Sequence, residues 1–386
     1  MKTKVVTALI LFISYLGYAQ TYESGVSYQG TNGYVTYHAG NLPLIISVSH
    51  GGALTPSSIP DRSCGGCVTV TDSYTQQLGE TLLDRINDYT GCDLHVVINE
   101  LKRTKLDANR DIGEAALGNA EAELAWTEYH AFLDSAKAEV MRNWGRGLVI
   151  DLHGHGHDIQ RLELGYLVSG ADLRTSDSEL DMKDLEDLPI RALVNATDLT
   201  ISAALRGEES LGTIFSESGY DAVPSMDITE PESGEPYFSG GYITRRHGSM
   251  AAGSIDAIQV ECNQDVRFTT SERDRFADSL AVVLLDYLDV HYHMNLRSGA
   301  CMPTRLVDPS DIQEISVFPN PVCGELTISI DTEIDKATLF NNIGQVVHQS
   351  EGIKLIELDH LLKGVYYLRV ESGDQVYRQR VIVQCN

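Results

Sequence analysis

A mixed α/β sheet flanked by helices, followed by a small C-terminal β-sandwich, is the fold class the sequence predicts. Three observations predict it. From roughly residue 43 to residue 297, short runs of apolar β-formers alternate with stretches of helical periodicity. Over 298–311 (SGACMPTRLVDPSD) the periodicity stops and two prolines enter. Beyond 311 the text becomes short strands separated by turns. Strand–helix alternation places helices on both faces of a sheet, whereas evenly spaced short strands build a sandwich.

Taken in order, residues 1–19 combine a basic start (MKTK), an apolar core (VVTALILFISYL) and small residues before the expected cleavage point. This is the pattern of a secretory signal peptide. No later segment approaches the ~18 uninterrupted apolar residues of a membrane span, so an exported protein without a transmembrane segment is expected. Removing the signal takes away Lys2 and Lys4 and no acid, moving the formal net charge from −26 to −28. A surface this acidic makes nucleic acid an unfavourable partner.

Residues 20–297 form the expected first domain. Strands are predicted at PLIISVSH (43–50), LHVVINEL (94–101), GLVIDLHG (147–154) and AIQVEC (257–262). Between them, Leu78, Leu82, Ile86 and Tyr89 recur at helical spacing, as do Trp126, Tyr129, Leu133, Ala136 and Val140 in a long helix near 119–143. The acidic stretch 177–188 (DSELDMKDLEDL) reads as a loop, and the HYH at 291–293 as a surface helix end. Residues 298–311 are the expected linker, and 312–386 the β-sandwich.

Seven cysteines in an exported chain permit disulfides, and the odd number leaves one unpaired or bonded elsewhere. Cys64 and Cys67 in RSCGGCV are close enough for a small loop; a zinc site is the competing reading, and a single CxxC makes a poor one. Cys323 and Cys385 bracket the C-terminal region.

The chemistry is concentrated where predicted strands end, the edge at which open α/β sheets collect functional groups. His50 ends IISVSH, Asn109 and Arg110 follow the VVINEL strand, His153 ends LVIDLH, and Glu261 ends AIQVEC. Three of the chain's 12 histidines fall within HGHGH (153–157). A catalytic zinc takes three protein ligands and leaves one position to water. His50 and His153 are the first two expected ligands. Asp72 of VTDSYT is the third, although an Asp just ahead of a helix is also what an N-cap looks like. His155 is the substitute for His153 and a candidate pocket residue; His157 reads equally as a solvated loop residue. Asp151, two residues before His153, is a natural partner for a ligating imidazole, and a strand acid turned to solvent or to a salt bridge is the alternative.

SHGG (49–52), Asp72 with Thr75, RTKLDANR (103–110), DLHGHGH (151–157), GGYITRRHG (240–248) and QVECNQDVR (259–267) together resemble the N-formylglutamate amidohydrolase-like family, whose fold is related to that of zinc carboxypeptidases. The resemblance spans roughly 43–290. It implies one zinc ion per chain on His50, Asp72 and His153, and a hydrolase acting on amide C–N bonds of small acidic or peptide-like substrates. It makes Glu261 the catalytic carboxylate, and a strand-end acid paired with Arg267 is the alternative. Asn109 and Arg110 resemble the pair that holds a substrate carboxylate in carboxypeptidases, and Arg103 is expected to polarise the scissile carbonyl; Arg245 and Arg246, beside Gly240-Gly241 in a turn-rich stretch, are expected to border the pocket, with ordinary surface charge the alternative for one of them.

In the C-terminal segment, FPNP, Gly324–Leu326–Ile328, NNIGQVV and the run from Leu361 to Val370 resemble the sorting domain of the type IX secretion system. That resemblance implies secretion machinery as a partner, passage through the periplasm of a Gram-negative bacterium, and release or attachment at the cell surface. An ordinary sandwich binding a carbohydrate or partner is the alternative. For the whole chain, two other functions stay open: a surface binding module whose catalysis has lapsed, and esterase or deacetylase chemistry at the same metal.

Overall fold

The computed structural model describes residues 22–250 and 252–298, Cys301, and residues 312–384 apart from 331, 341–345, 351, 360, 362 and 373–374. The expected signal peptide lies outside the described residues, as does all of the expected linker except Ser298 and Cys301. The chain divides into two compact units between Thr304 and Arg305.

The first unit is built on eight strands: β1 (Ser27–Gln29), β2 (Val35–His38), β3 (Leu44–Val48), β4 (His95–Asn99), β5 (Gly147–Gly154), β6 (Leu162–Gly165), β7 (Ala222–Val223) and β8 (Ile255–Cys262). They form one sheet in the order β1-β2-β4-β3-β5-β8-β6-β7. The central four, β4-β3-β5-β8, are parallel, while β2 and β6 join them antiparallel. Successive strand residues point to opposite faces, so β3, β4 and β8, buried at every position, must be covered on both sides.

The cover is helical. The helix Thr75–Thr90 packs on β3, β4 and β5 and against the helix Thr270–Tyr292. Its Leu78, Leu82 and Ile86 are fully buried. Tyr89, one step further along the same spacing, stays at the surface and donates its hydroxyl to Asp278 at 3.0 Å. The helix Ala120–Trp144 packs on β2 through β5, starts on an Asn119 side chain that accepts from Ala122 N, and ends at Gly145, whose φ of 72° is the left-handed stop.

Two local expectations are corrected. The acidic stretch 177–188 is not an open loop: Asp177–Leu180 is a helical turn capped by Ser176, Leu185–Asp187 is a 3-10 turn, and Leu180 and Leu188 are buried. His291 and Tyr292 are buried as well, because His291 bonds the Glu209 carbonyl and the Tyr292 hydroxyl donates to Asp256 at 2.8 Å. Disulfides join Cys64 to Cys67 and Cys92 to Cys301. Cys323 is disulfide-bonded too, and Cys262 is free and buried.

The second unit is β-rich. Ser316–Phe318, Glu325–Ser329 and Leu355–Glu357 form a three-stranded sheet, and a five-stranded sheet is built around Lys336–Phe340, Gly364–Ser372 and Gln375–Val383. Leu326, Ile328 and Ile356 from the first share one hydrophobic core with Leu339, Leu368, Val370 and Val381 from the second.

Leu82 sits at the centre of the Thr75–Thr90 helix face, so Leu82→Ala should cost about 2–5 kcal/mol. Both tryptophans of the chain, Trp126 and Trp144, lie in the first unit. Their fluorescence in a urea titration therefore isolates its unfolding, and a loss below about 1 kcal/mol would mean this helix is not docked on the sheet.

Candidate metal centre

The chain leaves β3 toward β4 on one side and returns through β5 on the other, and such a switch opens a crevice beyond the carboxyl ends of the strands. His50 lies two residues past β3, His153 is next to last in β5, and Glu261 is next to last in β8, paired in register with His153. Asn99, at the end of β4, donates to the Ser49 carbonyl at 2.8 Å and ties the two strand ends together. The loop after His50 returns to it: Asp72 N donates to the His50 carbonyl at 3.1 Å, and Thr75 donates both N–H and hydroxyl to the Asp72 carbonyl. Gly51 permits this closure, since a Cβ there would stand 2.5 Å from Gln76 N. The helix is capped by Tyr74, with no side-chain cap, so the Asp72 carboxylate is not spent as an N-cap.

That carboxylate faces both histidines. His50 Nδ1 stands 3.1 Å from His153 Nδ1 and 3.4 Å from Asp72 Oδ2, and His153 Nδ1 stands 3.0 Å from the same oxygen. Ligands held tetrahedrally at about 2.0–2.1 Å from a zinc ion stand about 3.3 Å apart. The triangle therefore has the size of one face of such a site.

The outward nitrogens settle which lone pairs are available. His50 Nε2 is 2.5 Å from Asp107 Oδ1, and His153 Nε2 is 2.9 Å from Asp151 Oδ2. Each imidazole thus gives its Nε2 proton to a fully buried carboxylate and turns its Nδ1 lone pair inward, the arrangement found behind zinc-bound histidines. Asp151 is itself held by Ser47, which also meets the Tyr129 hydroxyl from the Ala120–Trp144 helix.

With protein groups only, protons must supply the positive charge that three converging donors demand. Burial opposes the His153 imidazolium, but Asp151 and Asp72 outweigh it and hold its pKa well above the ordinary value. Burial likewise opposes the Asp72 carboxylate, and His50 and His153 hold it well below the usual carboxylate range. A divalent cation meets the same demand with three lone pairs, so the donor set fits zinc in number, kind and size.

Glu261 lies beside this triangle. Its carboxyl accepts from Gln259 Nε2 at 3.0 Å and stands opposite Glu163 of β6. Burial pushes its pKa up to about 8, with His153 opposing and Asp72, Glu163 and Asp151 adding to the rise. Arg267 does not pair with it. The Arg267 guanidinium donates instead to the carbonyls of Cys262, Ser73 and His155, binding together the segments that carry Glu261, Asp72 and His153. Here lies the reason for one glycine in HGHGH: a Cβ on Gly154 would stand 2.5 Å from Arg267 Nε.

The three histidines of that run separate by geometry. His155 is buried, takes the His157 N–H on Nδ1 at 3.1 Å and reaches the Arg161 carbonyl through Nε2 at 2.8 Å. Both its ring nitrogens are engaged within the loop, which leaves none for a substrate. His157 Nδ1 is 2.8 Å from Glu163 Oε1, and its ring stacks on Phe238. His155, His157 and Glu163 lie close enough to be a second metal cluster. The saturated His155 and the ordinary His157–Glu163 hydrogen bond mark them as a loop-locking network instead.

The expected cationic residues are placed differently from one another. Arg103 donates to Asp107 Oδ2 at 3.0 Å and lies 3.5 Å from Asp72 Oδ1, so it braces two carboxylates of the centre. Asn109 is buried, 3.3 Å from His153 Nε2, and accepts the Ile243 N–H. Arg110 is drawn to Glu114 and to the Asn109 carbonyl. Arg246 is exposed over Trp126 and beside Asp134, and Arg245 is exposed on the helix Tyr242–His247. Sequence reasoning passed over Asp107, Glu163 and Arg62. Asp107 sits inside RTKLDANR, five residues beyond Lys102 in a charged run, and that position was its only signal. Arg62 holds the same run from behind, donating to the Arg103 carbonyl at 3.1 Å and to Val68 and Glu114 carbonyls.

Among known proteins, residues 316–384 match the family described as the secretion system C-terminal sorting domain. An ulvan lyase of Nonlabens ulvanivorans is 31% identical over 86 residues, 21% of this chain and 16% of that protein. The chain therefore spans about one sixth of the length of that curated relative. A structure of N-formylglutamate amidohydrolase from Ralstonia eutropha is similar with 13% identity and a TM-score of 0.41, covering 67% of this chain and 98% of the other. A gene product of Agrobacterium tumefaciens is similar with 12% identity and a TM-score of 0.40, covering 67% and 94%. Among the described residues no helix is long and apolar enough to cross a membrane.

Elemental analysis of the purified protein after zinc loading should find about one zinc per chain, and none in His153→Ala. Asp107→Asn should keep the fold and weaken zinc binding about 10–100-fold, as loss of a carboxylate behind a ligating imidazole does. Wild-type affinity in Asp107→Asn would detach that residue from the centre.

Proposed function

We propose that this chain is an exported zinc-dependent hydrolase that cleaves amide C–N bonds of small acidic or peptide-like substrates. The observation that carries the proposal is the triangle of His50, Asp72 and His153, with both imidazoles backed by carboxylates and a further buried carboxyl, Glu261, beside it. The sequence resemblance to amidohydrolase-like enzymes supports the same chemistry. Residues 20–297 are assigned to catalysis, 298–311 to a linker and 312–386 to sorting for secretion; the sorting-domain match supports export.

Zinc held by these three residues would polarise the scissile carbonyl and make water nucleophilic near neutral pH. Everything else is the work of the chain. Asp107 and Asp151 keep the Nε2 protons of His50 and His153 in place, so that both Nδ1 atoms remain donors. Arg103 holds the outer oxygens of Asp72 and Asp107 and fixes the angle at which Asp72 faces the histidines. Glu261 takes the proton of the attacking water at its carboxylate and returns it to the departing nitrogen. An amine is a poor leaving group until it is protonated, and a buried carboxyl beside the donor triangle is placed for that delivery. Asn109 steadies His153 and the turn to Ile243, while Arg110, Arg245 and Arg246 are left to the outer reach of the substrate.

Hydrolysis of N-acyl amino acid amides and short acidic peptides should cease on chelation and return with zinc. Glu261→Gln should retain zinc and lose turnover by about 10²–10⁴, the usual scale of general acid–base catalysis. Undiminished turnover in that variant would remove Glu261 from the mechanism. A wild-type protein that binds zinc and hydrolyses none of these amides would instead be a binding module or an enzyme for another bond, and ester substrates separate those two.

A further inference from the structure

We propose that the Cys64–Cys67 disulfide is a thiol–disulfide exchange site, opened by an external dithiol, and that its opening loosens the metal centre through Arg62. The exchange site stands on its own geometry, and its effect on the centre rests on the metal reading given above.

Both cysteines lie in the long connection between β3 and the helix Thr75–Thr90, the segment that delivers Asp72. Cys64 is exposed and Cys67 half-buried, and the two glycines between them are exposed, with open space where a side chain would stand. A reagent therefore reaches Cys64 freely. Arg62 Nη2 lies 3.8 Å from Cys67 Sγ. A guanidinium beside a sulfur stabilises its thiolate, and the sulfur that leaves more easily as thiolate is expelled when its partner is attacked. The Cys92–Cys301 disulfide has the opposite surroundings. Cys92 is buried, and Cys92 Sγ and Cys301 Sγ stand 3.3 Å and 3.4 Å from the carbonyl oxygens of Thr90 and Gly91, which oppose negative charge on either sulfur.

The exchange balances with the dithiol as reductant. One thiolate of the reagent attacks Cys64 Sγ, the S–S bond breaks, and its electron pair leaves on Cys67 Sγ. The reagent's second thiol loses its proton to solvent and attacks the reagent sulfur of the mixed disulfide. The reagent departs oxidised to a disulfide, and Cys64 Sγ keeps the electron pair of the broken bond and takes a proton from solvent. Two electrons have then passed to the protein, and the Cys67 thiolate faces Arg62.

Opening the bond reaches the centre because Arg62 is shared. Its buried guanidinium donates to the Val68 carbonyl at 3.0 Å and to the Arg103 carbonyl at 3.1 Å. It also stands 3.7 Å from Asp107 Oδ2, on the carboxylate that holds His50 Nε2. A Cys67 thiolate competes with Asp107 for that positive charge, and the opened loop frees Val68, four residues ahead of Asp72. The bond spans a sequence separation of 3, against 209 for Cys92–Cys301, so its loss relaxes far less of the chain and leaves the fold standing.

The test treats the full, zinc-loaded chain with dithiothreitol and alkylates samples with iodoacetamide at intervals for peptide mass spectrometry. Cys64 and Cys67 should be labelled at least about tenfold faster than Cys92 and Cys301. After desalting and zinc resupply, protein opened only at Cys64–Cys67 should bind zinc about tenfold more weakly than untreated protein in competition with a chromophoric chelator. The double variant Cys64→Ser, Cys67→Ser should show the same loss, and Cys92→Ser, Cys301→Ser should not. Equal labelling rates at the two disulfides, or faster labelling of Cys92–Cys301, would overturn the exchange site. Wild-type zinc affinity in either form opened at Cys64–Cys67, folded by tryptophan fluorescence, would overturn its coupling to the centre. If untreated protein holds no zinc, the metal reading falls and the coupling with it, while the labelling rates still decide the exchange site.

Discussion

Three donor atoms that converge on one point, each needing positive charge, are the constraint around which the rest of this centre is arranged. Such a cluster is costly to bury: an ionised group without a partner in the interior costs several kcal/mol. The chain meets that cost by pairing. Asp107 and Asp151 take the outward protons of the two histidines, Arg103 takes the outer oxygens of Asp72 and Asp107, and Ser47 takes the second oxygen of Asp151. The inward side of the triangle is left to His50 Nδ1, His153 Nδ1 and Asp72 Oδ2 alone, three atoms that could hold a metal ion.

The sheet supplies position and the loops supply closure. Parallel strands bring His50, His153 and Glu261 to one edge because their backbone ladders fix register, with His153 directly opposite Glu261. Asp72 comes from a long connection that no ladder fixes. Its place depends on hydrogen bonds to the His50 carbonyl and from Thr75, and on two buried guanidiniums, Arg62 and Arg267, that staple loops through their carbonyls. Arginine suits this work because a planar fork with five donors can hold several carbonyls at once.

The same economy accounts for HGHGH. His153 is spent on the donor triangle, His155 on locking its own loop, and His157 on Glu163, while Gly154 leaves room for Arg267. Three histidines in one short run therefore serve three different purposes. The run looks like a metal-binding motif, yet it contributes one donor to the triangle and two to the architecture around it.

Periodicity and strand-end position make much of this legible in the amino-acid sequence. The apolar runs mark the buried strands, because a strand covered on both faces must be apolar throughout, and the residues that terminate them are carried to a common edge. The helical spacing of Leu78, Leu82 and Ile86 likewise belongs to the sequence, whereas the outward turn of Tyr89 toward Asp278 does not. Asp107 and the carbonyl-binding role of Arg267 were not legible for the same reason: each acts on residues far away in the chain, and no local period records such a contact. Burial of His291 and Tyr292 depended on Glu209 and Asp256 in the same way. The sequence by itself determined which segments are buried strands and helices and which side chains stand at the strand ends, since those follow from local pattern. Only the tertiary structure decided which of those side chains face one another and what neutralises their charge, because Coulomb and hydrogen-bond partners are chosen by distance in space and not by distance along the chain.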